Sequence, residues 1–258
     1  MVANDPGQPP LSGTVEATID RTPPAVALAI GAHPDDVEFG AGATLAKWAD
    51  AGCVVHHLVC TDGSKGTWDA AADTVALVAR RQDEQREAAR RLAGRCAGEV
   101  IFLGRVDGEL SNDLATRTEI VRAIRRLRPD VVLTHDPWKR YRLHPDHRHT
   151  GELVCDAIVG ARDPHFFKEL GIAPFRPESL LLFEADEPNH AEAAAIGLGR
   201  KLDALLAHES QFESTMGART GDAAELETFR RRITDRLAEL GRSWGMTHAE
   251  VFHRMDDL

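Results

Sequence analysis

The stretch Ala25-Val26-Ala27-Leu28-Ala29-Ile30-Gly31, running directly into Ala32-His33-Pro34-Asp35-Asp36-Val37-Glu38, decides how the rest of the chain is read. Its first half is short, apolar at successive positions and bounded by turn signals, which marks a strand buried on both faces inside a parallel sheet. Four later runs read the same way: Val54 to Cys60, Val100 to Leu103, Val131 to His135 and Leu180 to Phe183. Between them, Gly42 to Ala51, Thr74 to Leu92, Leu114 to Leu127 and Asp146 to Gly160 repeat apolar residues at three and four, the helical spacing. Further helices are expected around Gly199 to His208 and Leu226 to Leu240. Strand and helix alternate, so the expected fold class is α/β: a Rossmann-like, open, mostly parallel sheet with helices on both faces.

In such a sheet ligands bind where loops leave the carboxyl ends of the strands. Two clusters fall there. The first strand empties into one imidazole and three carboxylates, His33, Asp35, Asp36 and Glu38. The fourth is followed by Asp136-Pro137-Trp138 and then by His144-Pro145-Asp146-His147. Either cluster alone reads as a turn or a helix cap; both together at one edge of the sheet read as a site.

Imidazole and carboxylate without thiolate is the donor mixture of a catalytic zinc, which takes three protein ligands and leaves a fourth position for water. His33, Asp36 and His147 supply that number. With a helix opening at Asp146 or His147, His144 lies about one turn before His147 and faces the same pocket without being a ligand. Asp146 either orients one of the flanking histidines or caps the helix. A phosphate-binding loop at Gly40-Ala41-Gly42 is disfavoured, because Leu45 stands where the third glycine of a dinucleotide fingerprint belongs and the preceding acids repel a pyrophosphate.

Composition narrows the partner. With 31 basic and 41 acidic residues the formal net charge is −10, so no global positive field draws in a nucleic-acid backbone or an anionic membrane. A small molecule is the expected substrate. Cys53, Cys60, Cys96 and Cys155 form no Cys-x-x-Cys pair, a pattern of reduced thiols in a cytoplasmic protein. No run approaches the roughly 18 to 20 apolar residues that span a bilayer. Residues 1–24, rich in proline, are expected to be a mobile arm, and residues 25–258 a single domain.

The motifs Ala32-His33-Pro34-Asp35-Asp36-Val37-Glu38 and His144-Pro145-Asp146-His147 resemble those of the PIG-L-like, or LmbE-like, zinc-dependent de-N-acetylases. Weaker similarities extend it: Arg81-Gln82-Asp83-Glu84, Leu103-Gly104 with Asp107-Gly108, Arg128-Pro129-Asp130, and Lys201 to Leu205 with His208-Glu209-Ser210-Gln211. The resemblance implies zinc on His33, Asp36 and His147, Asp35 as general base, and a protonated His144 facing the carbonyl oxygen. It also implies that Arg81 and Asp107 touch the substrate, an N-acetylated amino sugar, and that the chain forms homo-oligomers, trimers or hexamers. The loop Thr61 to Thr74 follows the family pattern loosely, as does Leu92-Ala93-Gly94. Lys139, Arg140 and Arg142 read as a solvated basic loop or as one that meets an anionic group of the substrate, and Tyr141 as either a donor to the oxyanion or ordinary loop packing. Two further readings stay open: an amidase acting on a thiol conjugate of an amino sugar, and a non-catalytic Rossmann-type binding domain.

Overall fold

The computed structural model describes residues 17–258. Eight strands, β1 (Thr18–Ile19), β2 (Val26–Gly31), β3 (Val54–Thr61), β4 (Ala97–Arg105), β5 (Val131–His135), β6 (Ser179–Phe183), β7 (His190–Ala193) and β8 (Ala249–Asp256), form one sheet in the order β1-β7-β8-β6-β5-β2-β3-β4. Pairing from β4 across to β6 is parallel throughout; β8 alone runs against its neighbours, β6 and β7. Among the described residues the six α-helices are α1 (Asp36–Asp50), α2 (Thr74–Ala93), α3 (Leu114–Leu127), α4 (Pro145–Arg162), α5 (Leu198–Leu205) and α6 (Ala223–Arg242).

The strands are apolar at consecutive positions because both faces of the sheet are covered. Ala27 and Ala29 of β2, Val131 and Leu133 of β5, and Leu181 and Phe183 of β6 join Leu45 and Trp48 of α1 and Leu92 of α2 in one core. Their neighbours Leu28, Ile30, Val132, Leu180 and Leu182 join Ile120 and Ile124 of α3 and Val154 and Ile158 of α4 in another. The two-residue pleat divides each strand between two hydrophobic layers. The expected α/β class is observed.

Three departures from the expected elements have physical causes. Helix α1 begins at Asp36, six residues before the expected Gly42. The polar cluster and Gly40 resemble a loop in sequence, yet a Cβ at Gly40 would stand 2.6 Å from the Phe183 ring, so the glycine lets α1 lie close on β6. Strands β7 and β8 escaped the apolar pattern because they carry buried ionic residues: Glu192 meets Lys47, and Glu250 meets Lys201 at 2.5 Å. The third departure is the arm. Residues 1–16 lie outside the described residues, but within 17–24 Thr18 and Ile19 pair with His190 and Ala191, and Asp20 accepts from Lys47 Nζ at 2.7 Å and from Ala193 N at 2.8 Å. That part of the expected mobile segment is the edge of the sheet.

Strand order reverses between β2 and β5, the crevice in which an open α/β sheet receives ligands. β2 delivers His33 two residues past its end, β5 ends on His135, and α4 opens on the second histidine motif.

Candidate metal centre

His33, Asp36 and His147 converge on one point at this crevice, with donor atoms all within 4.8 Å of one another. His33 Nδ1 lies 3.3 Å from His147 Nε2 and 3.4 Å from Asp36 Oδ2, and His147 Nε2 lies 3.3 Å from Asp36 Oδ1. Donors about 2.0–2.1 Å from a tetrahedral zinc stand roughly 3.3–3.4 Å apart, a spacing shared by the two imidazole nitrogens and by each nitrogen with one oxygen of Asp36, Oδ2 for His33 and Oδ1 for His147.

The surrounding contacts hold each donor in place. His33 Nε2 lies 3.1 Å from Asp107 Oδ1 and 3.2 Å from Asp146 Oδ2, which places the ring proton on Nε2 and leaves Nδ1 to the centre. Burial works to lower the pKa of His33, but hydrogen bonds to Asp107, Asp146 and Asp36 raise it well above the ordinary histidine value. Asp36 Oδ2 accepts from the backbone N–H of His33 at 2.7 Å. Burial pushes the Asp36 carboxyl up, yet His147 and His135 together hold it well below the carboxylate range.

Asp146, fully buried, takes neither of the two roles expected from sequence. It caps no helix end: α4 has His144 at its N-cap with no side-chain hydrogen bond. Instead it accepts from His33, from Gly108 N at 2.6 Å and from Leu110 N at 3.2 Å. The histidine it orients therefore comes from the other motif, not from its own flanks.

The two residues expected at the substrate are both occupied by the protein. Asp107 divides its carboxylate between His33 and the backbone N–H of Lys65, 3.0 Å away. Arg81 is 2 % exposed and donates to Gly63 O at 2.8 Å and Pro34 O at 2.7 Å. Helix spacing could not reveal this, because an arginine reaching inward to loop carbonyls has the same sequence signature as one reaching outward.

Asp35 stands beside the triangle at the N-cap of α1 with φ 105° and ψ −26°, and its side chain caps nothing. A non-glycine residue in such a conformation stores about 1–3 kcal/mol, a form of strain that clusters at functional sites. Burial pushes the Asp35 carboxyl up to about 6, against the opposing charge of Arg81, whose Nη2 lies 3.7 Å from Oδ2. His144 is exposed at the rim, its ring 4.6 Å from that of His33 and stacked 4.8 Å from that of His147. Burial and the neighbouring imidazoles of His33 and His147 lower its pKa, which works against the protonated form.

His135 belongs to the site and was not singled out from sequence. Its Nε2 lies 3.1 Å from Asp36 Oδ2, and its ring stacks on His147 with centroids 4.2 Å apart. The available signal was its place as the last residue of a strand at the switch point. Arg142, expected in solvent, donates to His135 Nδ1 at 3.0 Å and pairs with Glu184 at 2.9 Å with only 5 % of its side chain exposed. Tyr141 is 90 % exposed and makes no packing contact of the kind expected.

Residues 28–158 match the family model PIG-L: GlcNAc-PI de-N-acetylase. Diacetylchitobiose deacetylase of Thermococcus kodakarensis is 38% identical over 188 residues, 72% of this chain and 69% of that one. The 1D-myo-inositol 2-acetamido-2-deoxy-alpha-D-glucopyranoside deacetylase 2 of Saccharopolyspora erythraea is 34% identical over 167 residues, 56% of this chain and 60% of that one. Among solved structures, N,N'-diacetylchitobiose deacetylase from Pyrococcus horikoshii superposes with a TM-score of 0.80 at 29% identity, covering 90% of this chain and 84% of that chain. The sheet order, the two histidine motifs meeting at the switch point and these likenesses agree: the chain belongs to the PIG-L family.

Proposed function

We propose that residues 17–258 act as one catalytic domain that hydrolyses the N-acetyl amide of a small molecule containing N-acetylglucosamine, releasing acetate and a free amino sugar. The observation that carries this is the triangle of His33, Asp36 and His147 with an unliganded, buried carboxylate, Asp35, at its side. The names of the relatives, which are deacetylases of acetylated amino sugars, point the same way.

In this reading His33, Asp36 and His147 hold zinc, which their mixture of imidazole and carboxylate suits. When bound, such an ion makes water nucleophilic near neutral pH and polarises the amide carbonyl. Asp35 accepts the proton of the attacking water; a base with a pKa near 6 is ionised at neutral pH yet basic enough to receive it. His144 donates an N–H to the oxygen that becomes negative in the tetrahedral intermediate; losing a comparable donor costs about 3–4 kcal/mol of barrier. Asp35 then returns its proton to the leaving nitrogen, so that one water is consumed and acid and amine depart.

The four free cysteines fit a reducing compartment, and we assign the chain to the cytoplasm on that basis. Among the described residues no helix is long and apolar enough to cross a membrane. A trimer or hexamer follows from the family resemblance and is checked by light scattering.

The test is acetate release from a panel of N-acetylglucosaminides by protein as purified, after chelation and after zinc return. Acetate release that is lost and regained supports the reading. Cleavage confined to thiol conjugates of an amino sugar would replace it with the amidase reading, and a chain that holds no metal and cleaves nothing would return it to a binding domain.

A further inference from the structure

Pro34 O and Asp35 N–H are the two ends of a single peptide group, and α2 grips both. Arg81 Nη2 donates to the oxygen at 2.7 Å, while Gln85 Oε1 accepts from the N–H at 2.9 Å. The two side chains are four residues apart, neighbours on one face of the helix, and both are buried. Because the plane of this peptide sets φ of Asp35, holding it on both sides holds the residue at φ 105°.

The amide of Gln85 is itself kept in one orientation. Its Nε2 donates to Glu38 Oε1 at 2.7 Å and lies 3.2 Å from His57 Nδ1, which turns Oε1 toward Asp35. Glu38 has no solvent exposure and sits 3.5 Å from His57 and from His208, both equally buried. An ionised carboxylate here is costly to bury without partners; in this place it decides which end of Gln85 faces the strained peptide.

We propose that Arg81 and Gln85, with Glu38 behind them, form a two-sided clamp on the 34–35 peptide that positions the Asp35 carboxylate for proton transfer. Gln85 and Glu38 are thus positioning residues: neither belongs to the triangle of metal donors. The role in proton transfer rests on the deacetylase reading, whereas the clamp itself does not.

The experiment compares the full-length parent with Gln85→Leu, Glu38→Gln, Gln85→Glu and the double swap E38Q/Q85E. In the double variant Gln at 38 donates to the new carboxylate at 85, so the 38–85 hydrogen bond returns with its direction reversed, while the carboxylate still accepts from Asp35 N–H and faces His57 Nδ1 as an acceptor. Four quantities are read: amide hydrogen exchange at Asp35, bound zinc per chain, kcat and KM for acetate release. Gln85→Leu is expected to speed exchange at Asp35 about tenfold or more and to lower kcat about 10²-fold, with KM and zinc content unchanged. The double swap is expected to recover kcat above both of its single variants.

Exchange at Asp35 that is the same in Gln85→Leu as in the parent overturns the clamp. Undiminished kcat in that variant, or a double swap no better than its singles, overturns the positioning role. A Gln85→Leu chain that does not fold shifts the decision to the double swap, which keeps the 38–85 hydrogen bond and the bond to Asp35 N–H. A parent chain that releases no acetate from any amide sinks the deacetylase reading, and the exchange measurement still decides the clamp.

Discussion

His33 Nδ1 and His147 Nε2 stand 3.3 Å apart although 114 residues separate them in sequence. Two imidazole nitrogens pressed this close in a buried site call for a cation or a shared proton between them. His147→Ala is expected to abolish stoichiometric metal binding while leaving the fold intact. Elemental analysis of the gel-filtered variant checks this, and a full complement of zinc in it would remove His147 from the donor set.

Asp35 lies beside that pair without joining it. Asp35→Asn keeps the volume and removes the base, so zinc content is expected to hold while turnover falls at least about 10²-fold. Single-turnover acetate release measures the effect, and an unaltered rate would assign the proton to another group.

Asp146 reaches His33 from the far motif and also accepts from two backbone N–H groups. Asp146→Asn is expected to weaken metal affinity about 10- to 100-fold, the usual effect of losing an orienting carboxylate. Competition against a chelator of known affinity reads it; retention at parental strength would mean that Asp107 alone orients the ring.

Arg125 tests stability apart from chemistry. Buried in the second core, its guanidinium donates to six backbone oxygens, those of Gly160, Ala161, Asp163, Phe166, Phe167 and Ile172. Arg125→Met strands these carbonyls and is expected to cost about 3 kcal/mol. The urea midpoint should fall with an unchanged slope and unchanged zinc content.

The parallel core and the meeting of His33, Asp36 and His147 were legible in the sequence because each depends on local pattern: apolar strands of two-faced burial, and histidine motifs placed directly after them. Strands β7 and β8 were not, since Glu192 and Glu250 look exposed until their partners Lys47 and Lys201 are known, and those lie 145 and 49 residues away. Arg81 and Asp107 stand out in the sequence as residues of the site, but their hydrogen bonds to the loops that frame it do not. His135 was hidden for the opposite reason, as a polar residue finishing an otherwise apolar strand. Side-chain contacts between segments far apart in the chain decide each of these cases, and local spacing does not reveal them.

Strand β8 lies between β6 and β7, and β7 in turn carries β1. Residues 249–256 are thus a keystone for a segment more than 200 positions earlier: Thr18 and Ile19 have no seat until those residues have been synthesised. The five-strand block that ends in His33 and His135 can assemble during translation, whereas the outer margin must wait. Cutting away β8 would release β7 and β1 together, and it would also strip Phe252 from the first core and Glu250 from the backbone of α1, the helix that presents Asp36.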